Sequence, residues 1–211
     1  MSKLRGFSNA VLTFNLNHLE RLKNFLDEVQ FLWDKRLNDY EIIGSEIEDE
    51  EEREKYFDFF YDEWSEYRDE YPRIAKYSLI VSCHSYFEKI CSDYYRSVLR
   101  DNLDLEVIPK RNIYALDYLK WFNDNYGERT IETKKIEELQ LRNDVRNRIV
   151  HSNGKVDKKE NKRLLRTIYE SQWLDLNNHD ELVIKDEYIN ETIDLLSSLI
   201  IEVHNCVYGR E

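Results

Sequence analysis

The 211 residues suffice for one good-sized hydrophobic core, and only 5 Gly and 2 Pro exclude a many-turned all-β fold and long disordered linkers. A net charge of −12 argues against a protein that coats nucleic acid non-specifically. The lack of a membrane-length apolar run, the polar breaks near the N-terminus and the odd count of 3 Cys predict a cytoplasmic protein that does not enter membranes.

The first part of the chain predicts two long helices, because apolar residues recur at steps of three and four positions. The first covers about residues 15–39, with the stripe Leu19, Leu22, Leu26, Val29 and Trp33. The second carries Tyr56, Phe60, Trp64 and Tyr67, within a stretch (46–70) that holds 13 acidic and 3 basic side chains. Because acidic residues favour helix N-termini, a solvated first turn or two is the preferred interpretation of the acidic run, and a regulatory or partner-binding role is the alternative.

A third long helix is expected near residues 73–100, since Pro72 suits a helix start. Its stripe consists of Ile74, Tyr77, Val81, His84, Phe87, Cys91, Tyr94 and Val98. After a break, further helices are expected at about 114–126 and 133–151.

The remainder predicts a short basic helix, a hairpin in "WLDLNNHDELVIKD" and a last helix at about 186–207. We therefore expect a single mostly α domain over 1–211: a helical bundle with a small β-hairpin before the C-terminal helix. Residues 71–207 would form the core, and residues 1–70 an N-terminal helical extension packed on it.

The helix expected at 133–151 places two arginines, Arg142 and Arg146, among aliphatic side chains. Burying an unpaired guanidinium is costly. Either each arginine has an internal carboxylate, or the apolar face is a subunit interface that opens into a cleft. Since the helix rises only about 7.5 Å between Arg146 and His151, both side chains can reach one phosphate-sized group.

His151 is expected in the last turn of this helix, because Gly154 is a typical C-cap residue. The negative end of the helix dipole stabilises an imidazolium there, and such a histidine can serve as acid or base. Asn147 lies four residues earlier, on the same face. The surrounding residues 134–166 carry 11 basic and 5 acidic side chains, so an anionic ligand is expected in this region.

The segment "RNRIVH", from Arg146 to His151, resembles the signature of the HEPN superfamily. That signature is an arginine, usually followed by a polar residue such as asparagine, and a histidine after four to six intervening positions. Here four residues intervene, and Asn147 fills the polar position. The elements expected over about residues 70–207 are similar to those of stand-alone bacterial HEPN proteins in toxin–antitoxin and phage-defence systems.

The resemblance implies an HEPN-like bundle and a metal-independent endoribonuclease without a cofactor, acting as a homodimer whose two motifs line one cleft. By position, Arg146 would hold the scissile phosphate, Asn147 would orient the phosphate or the imidazole, and His151 would act on the 2′-hydroxyl or the leaving oxygen. The products would carry 2′,3′-cyclic phosphate and 5′-hydroxyl ends. DNA would not be cleaved, because it lacks the 2′-hydroxyl nucleophile. An antitoxin or defence-system protein is a further implied partner.

Basic side chains around the motif are candidates for RNA contact: Arg142, Lys155, Lys158, Lys159 and Lys162. For the lysines, a solvated helix face is the alternative. Arg142 has no place in the family pattern, and pairing with a carboxylate on a neighbouring helix, such as Glu88, is preferred over a phosphate contact.

Two other interpretations stay open: a catalytically silent HEPN-like module that binds RNA or a protein partner, and a helical adaptor whose arginines are neutralised internally. The complete set of Arg146, Asn147 and His151 favours the enzyme. His84 is expected to be a hydrogen-bonded core histidine, because it lies on the apolar stripe of the third helix. Its spacing with Glu88 is that of a helical metal pair, but no second pair accompanies it, so a metal site is not expected.

Overall fold

A computed structural model describes residues 2–102, 104–126 and 131–209. Its helices are α1 (Ser2–Ser45), α2 (Glu50–Ser65), α3 (Tyr71–Asp101), α4 (Ala115–Asn125), α5 (Thr133–Ser152), α6 (Lys162–Glu170) and α7 (Asp186–Tyr208). A π-helical segment, Glu66–Glu70, separates α2 from α3, and two antiparallel strands, β1 (Leu174–Leu176) and β2 (Leu182–Ile184), form the hairpin. The mostly α class with one small hairpin is confirmed.

The hydrophobic core is built around α3 and α7, which form the largest helix–helix interface of the described chain. Each of the two helices has its apolar side chains on one face, and that face is buried. The apolar stripes expected from the sequence for these helices are therefore largely buried. Ile74 is an exception, at 49% exposure. Around this pair, α4 and α5 contribute the fully buried Leu119, Phe122 and Leu139.

Helices α1 and α2 form a hairpin of which only part reaches the core. Leu19 and Leu26 of α1 belong to the expected N-terminal extension, and both are buried in the main core. Residues 30–65, here called the arm, are all described, and Tyr40 is their one buried hydrophobic side chain. The two helices approach closely at Gly44, where an added Cβ atom would lie 2.3 Å from the Phe57 ring.

The chain passes from α2 to α3 without a turn. Ser65, Glu70 and Tyr71 all have right-handed helical backbone angles, and Glu66–Glu70 adopts the π-helical pattern. A proline has no backbone N–H to donate, and a π-bulge accommodates such a gap. Pro72 lies in the first turn of α3, as expected, but the backbone is already helical before it, so it does not begin a new helix after a loop.

The end of α5 is fixed by two residues with left-handed backbones, Asn153 (φ 49°) and Gly154 (φ 79°). Both donate their N–H groups to the carbonyl of Arg148. The hairpin attaches here, since Leu182 donates its N–H to the Gly154 carbonyl at 3.0 Å. Tyr77 of α3 in turn donates its hydroxyl to the Leu182 carbonyl at 2.7 Å. The last turn of α5 is thus fastened to both α3 and the hairpin.

The expected helix bounds agree with the structure to within a few residues for α4, α5 and α7. Helix α1 is much longer than the expected 15–39, since it runs from Ser2 to Ser45. None of the described helices combines the length and apolarity needed to cross a membrane.

Replacing Gly154 with Ala should lower the free energy of unfolding by about 3 kcal/mol, because the left-handed backbone disfavours a side chain and the new methyl would meet Tyr77. The added Cβ atom would lie 2.0 Å from the Tyr77 hydroxyl oxygen. Urea unfolding measures the effect. Asn153→Gly is the matched control, and its change should stay below about 1 kcal/mol. Equal stabilities of Gly154→Ala and the wild type would contradict this account of the helix end.

Candidate functional site

Helix α5 turns one face to the core and another to a solvent-accessible pocket. Its buried side chains, Leu139, Arg142, Val145 and Ile149, fall within an arc of about 120° at 100° per residue. The buried arc is narrower than the apolar pattern predicts, since Leu141 and Val150 are exposed.

Arg142, at the centre of the buried arc, has a complete set of internal partners. Its Nη1 donates to the Thr192 hydroxyl at 2.6 Å and to the Tyr188 carbonyl at 3.1 Å. Its Nη2 lies 2.7 Å from a Glu138 carboxylate oxygen and 3.3 Å from one of Glu191. The structural role preferred from the sequence is therefore what the contacts show, although the carboxylates are Glu138 and Glu191 and not Glu88.

Arg146 lies at the margin of the buried arc and is half-buried. Its Nη1 donates to the Asn147 side-chain carbonyl at 3.0 Å. Among the described residues, no carboxylate forms an ion pair with it, in contrast to Arg142. Its acceptor is an uncharged amide, so the guanidinium has no ion-pair partner at hydrogen-bond distance and can bind an external anion, although Glu88 and Asp144 line the same pocket.

A pocket of about 490 Å³ contains Arg146, Asn147 and His151 on its α5 wall. The opposite walls are α3, through His84 and Glu88, and the N-terminal end of α4 with its preceding loop. The three residues of the motif therefore line one cavity within a single chain.

His151 and Asn147 also line a second hollow of about 310 Å³, on the side of α6. Arg148 and Arg163 contribute to its walls, and Arg163 pairs with Asp144 at 3.1 Å. His151 itself is exposed. It thus stands on a ridge at the end of α5 with an open hollow on either side.

His84 is buried, as expected, but its hydrogen bonding is incomplete. The Nε2 atom is inaccessible to solvent and has no hydrogen-bond partner of normal geometry among the described residues. Burial and repulsion from the Arg146 guanidinium lower the pKa of His84 to about 4, against an opposing effect of the neighbouring Asn143. The ring is therefore neutral at pH 7.

Several pocket residues were not predicted as site residues, among them Lys110, Tyr114, Gln140 and Asn143. Glu88 was considered only as a partner of Arg142 or of a metal, and it has no ion-pair partner among the described residues. The four-residue spacing of His84 and Glu88 indicated a shared face. The sequence could not indicate that this face meets α5, because that contact depends on the packing of distant helices.

The expected basic segment lies beside the second hollow. Lys155, Lys159 and Lys162 are exposed and form no ion pair with any described carboxylate. Lys158 lies 2.5 Å from Asp180, across the hairpin turn. Three of the four proposed lysines are therefore free to meet a polyanion.

Among the described residues, no three His, Cys, Asp or Glu side chains are grouped so that they could bind a metal ion. The available chemistry is that of an uncompensated guanidinium and an exposed imidazole that share a cavity. Such a pair can bind a phosphate group and transfer a proton to or from it.

Comparison with protein-family models, curated proteins and solved structures gave no match to this chain.

The neutral state of His84 predicts a pH dependence of stability. Above pH 6.5 the ring is neutral in the folded and unfolded chains, whereas at lower pH the unfolded chain takes up a proton that the folded chain accepts only near pH 4. Stability should therefore fall by about 3 kcal/mol between pH 6.5 and 4 through this residue.

Urea unfolding at several pH values, with His84→Gln as the non-titrating control, isolates this contribution. His204, whose pKa is also lowered by burial, remains in both proteins and cancels in the difference. Wild-type and variant stabilities that change in parallel with pH would contradict the assigned protonation state.

Proposed function

We propose that the protein is a metal-independent endoribonuclease of the HEPN type, with Arg146, Asn147 and His151 as its catalytic residues. The observation that carries the proposal is the shared pocket of Arg146 and His151, in which the guanidinium has no carboxylate partner among the described residues. The helix end that carries them is fastened to both α3 and the hairpin, which supports a pre-organised site.

The proposed reaction is an internal transfer at phosphorus. The ribose 2′-oxygen forms a bond to the phosphorus atom while the bond to the 5′-oxygen breaks, so the products are a 2′,3′-cyclic phosphate and a 5′-hydroxyl end. One imidazole accepts the 2′-hydroxyl proton and another donates a proton to the 5′-oxygen. The planar guanidinium of Arg146 stabilises the charge on the equatorial oxygens.

Asn147 holds the guanidinium in place through its side-chain carbonyl, at 3.0 Å from Nη1. Its amide group remains available to a phosphate oxygen. The exposed lysines of the basic segment that borders the second hollow, Lys155, Lys159 and Lys162, would guide the RNA strand to the ridge. Arg142 is left out of the proposed RNA contacts, because four internal groups engage it.

A homodimer belongs to the proposal, since one histidine cannot serve as base and acid in the same step. The exposed position of His151 between two hollows leaves room for a second copy of α5 to approach from the α6 side. A two-fold axis beside His151 would place both imidazoles at one phosphodiester. The proposed setting is a cytoplasmic toxin–antitoxin or anti-phage defence system.

The alternative is a catalytically silent HEPN-like module that binds RNA or a protein partner, and the arm favours a protein partner. Phe31, Leu32 and Phe59 of the arm are exposed by 68%, 61% and 80%. Exposed apolar side chains in one region are typical of interaction surfaces. Such a surface is compatible with an enzyme controlled by a partner as well as with a module that only binds.

Cleavage assays with RNA and DNA of identical sequence, in EDTA, test the enzyme. The wild type should cleave RNA and leave DNA intact. His151→Ala should lower the rate about 10³-fold and Arg146→Ala about 10²-fold or more, because each removes a group that acts in the transition state. A single 2′-deoxy substitution at the cleavage point should block the reaction.

His179→Ala and Arg100→Ala are matched controls, because neither side chain lines either of the hollows beside His151, and they should retain full activity. Undiminished cleavage by His151→Ala, or equal cleavage of RNA and DNA, would contradict the proposed mechanism. If the wild type binds RNA in a salt-dependent manner without cutting it, the silent module is the better description.

A further inference from the structure

The pocket extends beyond Arg146, Asn147 and His151, the three residues that the cleavage chemistry requires. Its α3 wall carries His84 and Glu88, and its α4 wall carries Tyr114. These groups have unused hydrogen-bonding or stacking capacity, and none of them has a role in the transfer at phosphorus. A second part of the substrate is therefore expected next to the phosphate.

We propose that this wall binds a guanine base adjacent to the scissile phosphate, with Glu88 accepting from N1–H and N2–H and His84 donating from Nε2 to O6. The inference rests on the proposed function, since an RNA strand is what brings a base to this position.

His84 provides the first observation. It is 6% exposed, and its Nε2 atom lacks a hydrogen-bond partner of normal geometry among the described residues, while the side chain of Asn143, which lines the same pocket, interacts with the ring. Buried polar atoms are rarely left unsatisfied, so such an atom beside a pocket indicates a ligand group or an ordered water molecule. A neutral imidazole has one N–H donor, which suits a carbonyl oxygen such as O6 of guanine.

Glu88 provides the second observation. It is half-buried on the same face of α3 as His84, one turn away, and its carboxylate has no ion-pair partner among the described residues. A carboxylate accepts two parallel N–H bonds. Of the four RNA bases, guanine alone presents two adjacent N–H donors beside a carbonyl on one edge, which matches a carboxylate followed by a donor.

Tyr114 provides a surface for the face of the base. Its side chain is 58% exposed at the rim of the pocket. The residue is held at the start of α4, where its N–H donates to Asp117 at 3.1 Å, and Asp117 is paired with Lys110 at 2.5 Å. An exposed aromatic ring on a fixed backbone is a typical platform for an unstacked RNA base.

Equilibrium binding of the four ribonucleoside 3′-monophosphates to the full chain tests the proposal without relying on cleavage. Isothermal titration should give an affinity for guanosine 3′-monophosphate about 10-fold higher than for the other three. Glu88→Gln should remove this preference, because one acceptor of the carboxylate becomes a donor. Asp93→Asn is the matched control, since Asp93 lies on α3 outside the pocket and pairs with Lys89.

Arg146→Ala separates the two proposals, since it should weaken all four nucleotides to a similar extent and leave the guanine preference intact. Equal affinities for the four nucleotides, an absence of binding, or a preference that survives Glu88→Gln would overturn the guanine site. A guanine preference in a protein that does not cleave RNA would retain this site and reject the nuclease.

Discussion

The position of the candidate site depends on how helix α5 ends. Gly154 combines a left-handed backbone with close contact to Tyr77, and its carbonyl receives the hairpin through Leu182. Tyr77 binds the same residue of the hairpin from α3. Three elements that are distant in sequence are thereby joined within a few ångströms. His151, in the turn just before this junction, gains a fixed place on a helix end that would otherwise fray.

The two arginines of α5 have different surroundings: Arg142 is paired inside the core, and Arg146 lines the pocket. Arg142 points into the core and is neutralised by Glu138 and Glu191, so its burial is compensated. Arg146, one turn later, lies at the edge of the core and has an amide as its hydrogen-bond partner. Its positive charge therefore acts on the pocket, where it also disfavours protonation of His84. The same pocket is also lined by the carboxylates of Glu88, Asp117 and Asp144, so Arg146 is the group at which an anion would bind.

Much of the fold could be predicted from the sequence, because helical periodicity is strong in α3 and α7 and the hairpin has a clear polar turn. The motif residues could be placed at one helix end, because helical spacing continues up to His151 and Gly154 is a typical C-cap residue. What the sequence did not predict was the packing of the helices against one another. The apolar pattern of α5 did not show that its buried face is narrow, nor that Glu138 and Glu191 would engage Arg142. The α3 wall of the pocket depends on how α3 packs against α5, which no local pattern specifies.

The central claim is that Arg146 and His151 bind the same anion, and nuclear magnetic resonance on the labelled full chain tests it directly. During titration with inorganic phosphate, the side-chain signals of both residues should shift along one saturation curve. Arg146→Ala should abolish the response of the His151 ring. Separate curves for the two residues, or a His151 response that is unchanged in Arg146→Ala, would show that they do not share a ligand and would contradict the account.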